Sequence, residues 1–204
     1  RYFSGSPVPL AEELRTWSLG ETEAISSVTY PRERPYYVEL SQEKILPYEL
    51  ETIEIDTFYN EIFTPEMVAG HWKMASQSLN SVILSQSMAI KIFGNAESAI
   101  GKHMTLMRRL NTSPESTPKT GGIVYTIQAV MKDIPLNNSL DFMQNIDMLT
   151  VNDSEGLLQS PKRHNMTGAS TYALLAAQTT CAALEKQFSK RNYTYTLYNE
   201  SYTI

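Results

Sequence analysis

The sequence predicts an α+β fold. Several short segments alternate apolar and polar residues with the period of a strand, most clearly Ile123 to Met131. Other segments space apolar residues along one helix face, as Leu10, Leu14 and Trp17 do at i, i+4 and i+7. In sequence the order is helix, strands, helix, hairpin, strand, strand, helix, strand. Strands with intermittent helices packed on them belong to the α+β class.

The first helix is predicted from Pro9 to Trp17, with Pro9 suited to a first helical position and Gly20 to a stop. Ala24 to Tyr30 and Tyr36 to Leu40 read as strands, with Pro31 and Pro35 bracketing a charged turn between them. Leu50 to Ile55 is a third strand with Ile53 and Ile55 on one side. Asp56 or Thr57 caps a helical turn carrying Phe58, Ile62 and Phe63. Ser81 to Leu84 is a short apolar strand. Ser85 then caps a helix that buries Met88, Ala89, Ile92 and Phe93, and Gly94 ends it in a left-handed conformation.

After a turn at Ile100-Gly101, His103 to Arg109 and Ile123 to Met131 form an antiparallel hairpin around the polar loop Leu110 to Gly122. In the second of these strands Ile123, Tyr125, Ile127, Ala129 and Met131 are expected to face one way. Asp133 to Ser139 breaks the pattern. Asn145 to Val151 is a strand, Asn152 to Gly168 a polar loop, and Thr171 to Ala177 an apolar strand. Thr179 or Thr180 caps a helix carrying Leu184 and Phe188, and Tyr193 to Tyr198 closes the chain as a strand.

With 204 residues the chain holds one domain or two small ones. At 42% hydrophobic and 19% charged residues it builds a sizeable core. Lys and Arg number 17 against 22 Asp and Glu, a net charge of −5, which argues against nucleic acid as a partner and gives no reason for docking on anionic lipid. No run of 18 apolar residues spans a bilayer, and no basic segment followed by an apolar one marks a signal peptide. The first residue is Arg1, which reads as a cut or processed chain. The one cysteine, Cys181, excludes an internal disulfide and a cysteine-based metal site. Six sequons, at Asn111, Asn137, Asn152, Asn165, Asn192 and Asn199, fit chance in a chain rich in Asn, Ser and Thr.

The residues give little sign of catalysis. His71, His103 and His164 have no second ligand at metal spacing and read as surface or strand residues. Cys181 opens a helix, where a thiol can be activated, yet its small neighbours favour simple packing. Ser85 follows a strand and opens a helix, but lacks the glycines of a nucleophile elbow. Gly121-Gly122 precedes a strand and therefore offers no helix N-terminus to a phosphate. Glu49, Glu51 and Glu54 read as a charged outer strand face. Met74, Met88, Met104, Met107 and Met131 read as core or edge filler. No catalytic, cofactor-binding or metal-binding residue is assigned.

One stretch resembles a known family. The segments SVILSQSMAIKIFGNAESAIGKHMTL, from Ser81, and YTIQAVMKDIPLNNS, from Tyr125, resemble the MacB-like periplasmic core domain of FtsX-type ABC transporter permeases. The positions that carry it are Leu84, Ser85, Ala89, Phe93, Gly94, Ile100, Gly101, Lys102, Tyr125, Val130, Asp133, Ile134, Pro135 and Ser139. Weaker likeness lies in TFYNEIFTPEMVAGHW, with Gly70, and in STYALLAAQTTCAALEKQF, so that the resemblance spans most of residues 50–190.

The resemblance implies a porter-like α/β layer built from both chain ends, residues 1–55 and 138–204, with a small Sabre-like α/β subdomain inserted over residues 56–137. It implies the periplasmic domain of a bacterial inner-membrane protein, flanked by transmembrane helices of the same permease. The implied partners are a cytoplasmic ABC ATPase, a second permease copy or paralogue, and a periplasmic adaptor, exported peptide or lipoprotein. The implied role is to transmit ATP-driven motion, with no catalysis and no cofactor. Apolar spans are then expected just before Arg1 and just after Ile204. The competing readings are a free periplasmic or secreted binding protein, and a hydrolase with converging carboxylates.

Overall fold

A computed structural model describes residues 6–7, 10–17, 19–41, 44–78, 80–106, 123–134, 145–151, 167–190, 194–197 and 200–203. The elements begin with β1 (Ser6–Pro7), α1 (Leu10–Thr16), β2 (Thr22–Thr29), β3 (Arg32–Ser41), β4 (Lys44–Ile55) and α2 (Tyr59–Phe63). They continue with β5 (Met67–Gly70), α3 (Trp72–Gln77), β6 (Ser81–Ser85), α4 (Gln86–Phe93), a 3₁₀ turn at Glu97–Ala99, β7 (His103–Leu106) and β8 (Ile123–Met131). The last are β9 (Met148–Val151), β10 (Thr167–Leu175), α5 (Cys181–Ser189), β11 (Thr194–Leu197) and β12 (Glu200–Thr203). The α+β class holds.

The chain divides into two compact units. Unit 1 contains residues 1–30, 54–64 and 152–204, and unit 2 contains residues 31–53 and 65–151. In unit 1 the antiparallel order is β1, β10, β2 and the end of β4, where Val28 faces Ile55. Leu10, Ala11, Leu14, Leu19 and Ile25 are buried together, with Trp17, Leu184 and Phe188 half-buried against them. The sequence spacing of Leu10, Leu14 and Trp17 thus becomes the face that α1 lays on β2. Each such aliphatic side chain contributes about 1.5–3 kcal/mol on full burial. Gly20 lies in the turn between α1 and β2 and is not among the left-handed glycines, so α1 does not end on it.

In unit 2 the order is β4, β3, β7, β8, β6 and β9, with β5 beside β8. β4 also pairs with β9, so these six strands form a closed path. The closure satisfies backbone groups that an open sheet would leave at its two edges. The Asp147 N–H donates to the Glu51 carbonyl at 2.9 Å, and the Thr150 hydroxyl donates to the Ile53 carbonyl at 3.3 Å. All six strands feed one cluster with α4: Tyr36, Leu50, Leu84, Met104, Ile127 and Met148 are all fully buried in it. The hairpin of β7 and β8 is antiparallel, with Met104 opposite Tyr125.

The expected single facing of β8 fails. β8 carries a bulge against its parallel neighbour β6, where Val82 faces Ile127 but Ile83 faces Ala129. Gln128 is the extra residue, and an extra residue reverses the alternation beyond it. Ile127 and Val130 therefore reach the α4 core, while Ala129 and Met131 are buried outside that cluster and Ile123 is exposed. Gly70 of β5 packs at this bulge. At φ +70, a Cβ there would stand 2.2 Å from the Gln128 carbonyl oxygen.

The expected turn between Pro31 and Pro35 is also absent. β3 begins at Arg32 and runs through Pro35, which faces Glu49 of β4. Its other neighbour, β7, pairs only with Tyr36 to Val38. Proline is tolerated on such an edge because no ladder hydrogen bond is required of it there. Residues 31–53, kept with the first segment in the sequence reading, thus lie in unit 2 because β3 joins β7.

The caps of α4 and α5 are met closely, whereas β9 starts only at Met148, β10 runs from Thr167 to Leu175, and Phe93 is half-buried. The Ser85 hydroxyl accepts from the Met88 N–H at 3.3 Å, and Gly94 ends α4 at φ +87. The Thr180 hydroxyl accepts from the Ala183 N–H at 3.3 Å at the start of α5. β11 pairs antiparallel with β12, a partner the sequence reading missed along with β1, β5 and α3. The loop Leu110 to Gly122 and the six sequon asparagines lie outside the described residues.

Candidate functional site

In unit 1 the most built polar arrangement joins α1, β2 and the start of α2. Arg15 stands in the last turn of α1, next to the buried Leu14. Its guanidinium donates to the Ile25 carbonyl at 2.6 Å and to the Asp56 carboxylate at 3.0 Å, pairs with Glu12, and lies 4.3 Å over the Phe58 ring. Asp56 also accepts from the Ser26 hydroxyl at 2.8 Å, the Ser27 N–H at 2.9 Å and the Phe58 N–H at 3.1 Å. With its side chain 2% exposed, the carboxylate is sustained by these charge-assisted bonds. The sequence offered Asp56 or Thr57 as the cap of α2, a post neither holds: the N-cap is Phe58, without a side-chain cap bond. Nothing in the sequence pointed to Arg15, which lies 41 residues away.

The same unit stacks aromatics on β10. Tyr59 and Phe63 of α2 stack at 4.6 Å between centroids, and Phe63 meets Tyr172 edge-on at 5.1 Å. Burial, and then the neighbouring Tyr172, push the Tyr59 hydroxyl above the usual tyrosine range. Neutral phenols are the stable state here.

Unit 2 gathers acids. Glu33 of β3 faces Glu51 of β4 directly across the ladder. Asp147 accepts from the Glu51 N–H at 2.9 Å. Desolvation, then Glu33, then Asp147 raise the Glu51 carboxyl above its ordinary value of 4.5. Asp147 is raised by burial and by Asp133, against the lowering effects of the Glu51 backbone and Lys91. Along β4, Glu49 is exposed and Glu51 and Glu54 are half-buried. Among the described residues no group of three or more His, Cys, Asp and Glu is placed to hold a metal ion.

The other candidates do not converge. His71 is exposed before α3, and His103 is exposed on β7 within 3.2 Å of the Thr126 hydroxyl. His164 and Met107 lie outside the described residues. Met88, Met104 and Met131 are core, whereas Met74 is exposed. Cys181 was expected to pack, and instead it is exposed. The half-buried side of α5 runs through Ala183, Leu184, Gln187 and Phe188, and Cys181 stands at the first position of the helix. Ser85 is buried and engaged as a helix cap.

No family model and no curated protein matches the chain. Solved structures do. A domain of a protein assigned as a permease from Porphyromonas gingivalis superposes with a TM-score of 0.67 at 21% identity, over 92% of this chain and 76% of that one. The periplasmic region of MacB from Actinobacillus actinomycetemcomitans does so with a TM-score of 0.57 at 16% identity, over 92% and 72%. The chain has a MacB-type fold.

Several residues of the sequence resemblance hold structural posts within this MacB-type fold. Ser85 caps α4, Gly94 and Gly101 take positive φ, and Asp133 accepts from the Ser87 N–H at 3.0 Å in the first turn of α4. Leu84, Ala89 and Val130 are fully buried. Pro135 and Ser139 lie outside the described residues. Among the described residues no helix of the MacB-type fold is long and apolar enough to cross a membrane.

Proposed function

We propose that the chain is the extracytoplasmic domain of a bacterial ABC transporter permease. In this reading it lies on the periplasmic side and is anchored by transmembrane helices of the same polypeptide. A cytoplasmic ATPase drives it, and it passes the resulting motion to a periplasmic substrate or adaptor. It performs no catalytic step of its own. The observation that carries this is the MacB-type fold, matched over 92% of the chain to the periplasmic region of MacB. The engagement of Ser85 and Asp56 in capping and ion pairing is consistent with a framework role. Unit 1 corresponds in this reading to the porter-like layer and unit 2 to the Sabre-like subdomain.

The complete reading frame tests the anchoring. Apolar spans of about 18 residues or more flanking this segment are expected. A frame with a cleavable leader and no spans would overturn the proposal in favour of a free binding protein. Motion is tested in the full permease with its ATPase. Cys181, the one cysteine of these 204 residues and exposed, takes one spin label, and the exposed Glu97, as Glu97→Cys, takes the other, with any cysteine elsewhere in the permease replaced. ATP is expected to shift the distance distribution between them. An unchanged distribution removes the force-transmitting role.

A further inference from the structure

Unit 2 carries a polar row that the proposed transport role does not use. His103 of β7 stands directly opposite Thr126 of β8, and Ser81 of β6 is the register partner of the same Thr126. Three polar side chains thus sit side by side on three neighbouring strands. Val82 and Ile127, the next pair along, both belong to the α4 cluster. Successive residues of a strand point to opposite faces, so Ser81 and Thr126 point away from that cluster. α3 packs against β6 and β8 and buries Ala75, which is outside the α4 cluster as well.

Exposure falls along the row. His103 is exposed, Thr126 half-buried and Ser81 fully buried. The Thr126 hydroxyl and His103 Nδ1 are bonded at 3.2 Å. The Ser81 hydroxyl has no hydrogen-bond partner among the described residues. A buried hydroxyl left in that state weakens the folded state roughly fivefold to a hundredfold, and folded proteins satisfy most such groups with protein or ordered water. Thr126 keeps capacity for a second bond, because a hydroxyl has one donor and two acceptor positions and His103 takes one.

The ladder sets the distance between the two hydroxyls. Neighbouring strands lie about 4.8 Å apart, and paired residues stand at that spacing. Hydroxyl oxygens bond directly at about 2.8 Å, so the pair is too far apart for a direct bond. Two such bonds meeting at the near-tetrahedral angle of a water span about 4.6 Å, which matches the ladder. The row holds no carboxylate to balance a cation.

We propose that one ordered water bridges Ser81 Oγ and Thr126 Oγ1 between β6 and β8, completing a hydrogen-bonded row from His103 at the surface to Ser81 in the interior. Where His103 Nδ1 accepts from Thr126, Ser81 donates to the water and the water donates to Thr126. The transport reading does not bear on this site, which belongs to unit 2 alone.

The first test is a high-resolution crystal structure of the 204-residue chain. A water oxygen within hydrogen-bond reach of both Ser81 Oγ and Thr126 Oγ1 is expected. A dry gap, or a direct bond between the two hydroxyls, would overturn the proposal. The second is a double-variant cycle, read as the opening constant of unit 2 from hydrogen exchange of the β6 and β8 amides. Ser81→Ala deletes one end of the bridge and should raise that constant about fivefold, the effect of losing one partnered hydroxyl. Thr126→Val keeps the shape and should raise it at least as much, since it also ends the His103 bond. The two together should fall short of the product of the single effects by at least about threefold, because either one alone already breaks the bridge. The proposal fails if Ser81→Ala lowers the constant, the sign of a hydroxyl buried without a partner. It fails equally if the two effects simply multiply, which would leave Ser81 and Thr126 unconnected.

Discussion

Asp56 accepts from three protein N–H or O–H groups besides Arg15, so its negative charge is spread over four donors in an almost sealed place. Removing one member of such a pair strands the other. Asp56→Ala is expected to lower stability by about 3–5 kcal/mol in urea unfolding. The pair exchanged together for apolar side chains, Arg15→Met with Asp56→Leu, should recover most of that loss, because neither charge is then stranded. A double variant no more stable than the single would show that the Ser26, Ser27 and Phe58 bonds, rather than the ion pair, hold the corner. A separate prediction concerns Glu51. Its folded carboxyl is raised, so the folded state holds its proton more tightly than the unfolded chain. Its contribution is most favourable below the ordinary carboxyl range and is lost as pH rises through the raised value. Glu51→Gln removes that loss, so its melting temperature relative to wild type should climb between pH 4 and pH 7. A constant difference across that range would refute the assignment.

At the scale of elements, α4 is the piece most firmly specified by its own sequence. Ser85 at its start, Gly94 at its end and Met88, Ala89 and Ile92 between them all agree on where it begins, stops and faces. Ser85→Ala should cost about 1 kcal/mol by calorimetry, and Ser85→Asp should restore it. That agreement explains why α4 was legible, as were the cap of α5 and the β7–β8 hairpin. β8 was legible as a strand but not in its facing. Nothing in Ile123 to Met131 announces a bulge, since the extra residue is defined by the register with β6. β5 and α3 were missed because they are too short, at four and six residues, to show a period, and Ala75 is the buried residue of α3. Pro35 misled for a related reason. A proline reads as a breaker unless one knows that its strand has only one neighbour at that point. Arg15 was invisible as a site residue because its partners come from two later segments, β2 and the β4–α2 junction.

Across the whole molecule, the two units draw on separate cores, one around Leu14 and Ile25 and one around Leu84 and Ile127. Leu14→Ala and Leu84→Ala should each cost about 2–5 kcal/mol, and hydrogen exchange should report the loss in the unit that carries the substitution. Equal loss of protection in both units from either change would show that they unfold as one. The chain passes from unit to unit four times, at 30/31, 53/54, 64/65 and 151/152. That weaving has a consequence for the gene. A recombination event that exchanges unit 2 between two relatives in one piece must carry residues 31–151, and with them residues 54–64 of unit 1. Asp56 would arrive from one parent while Arg15, Ser26 and Ser27 stayed from the other. Chimeras between parents that share this pairing should survive such a swap. Those whose parents differ at either end of it should be lost, and surviving breakpoints should avoid the stretch between Ser27 and Asp56.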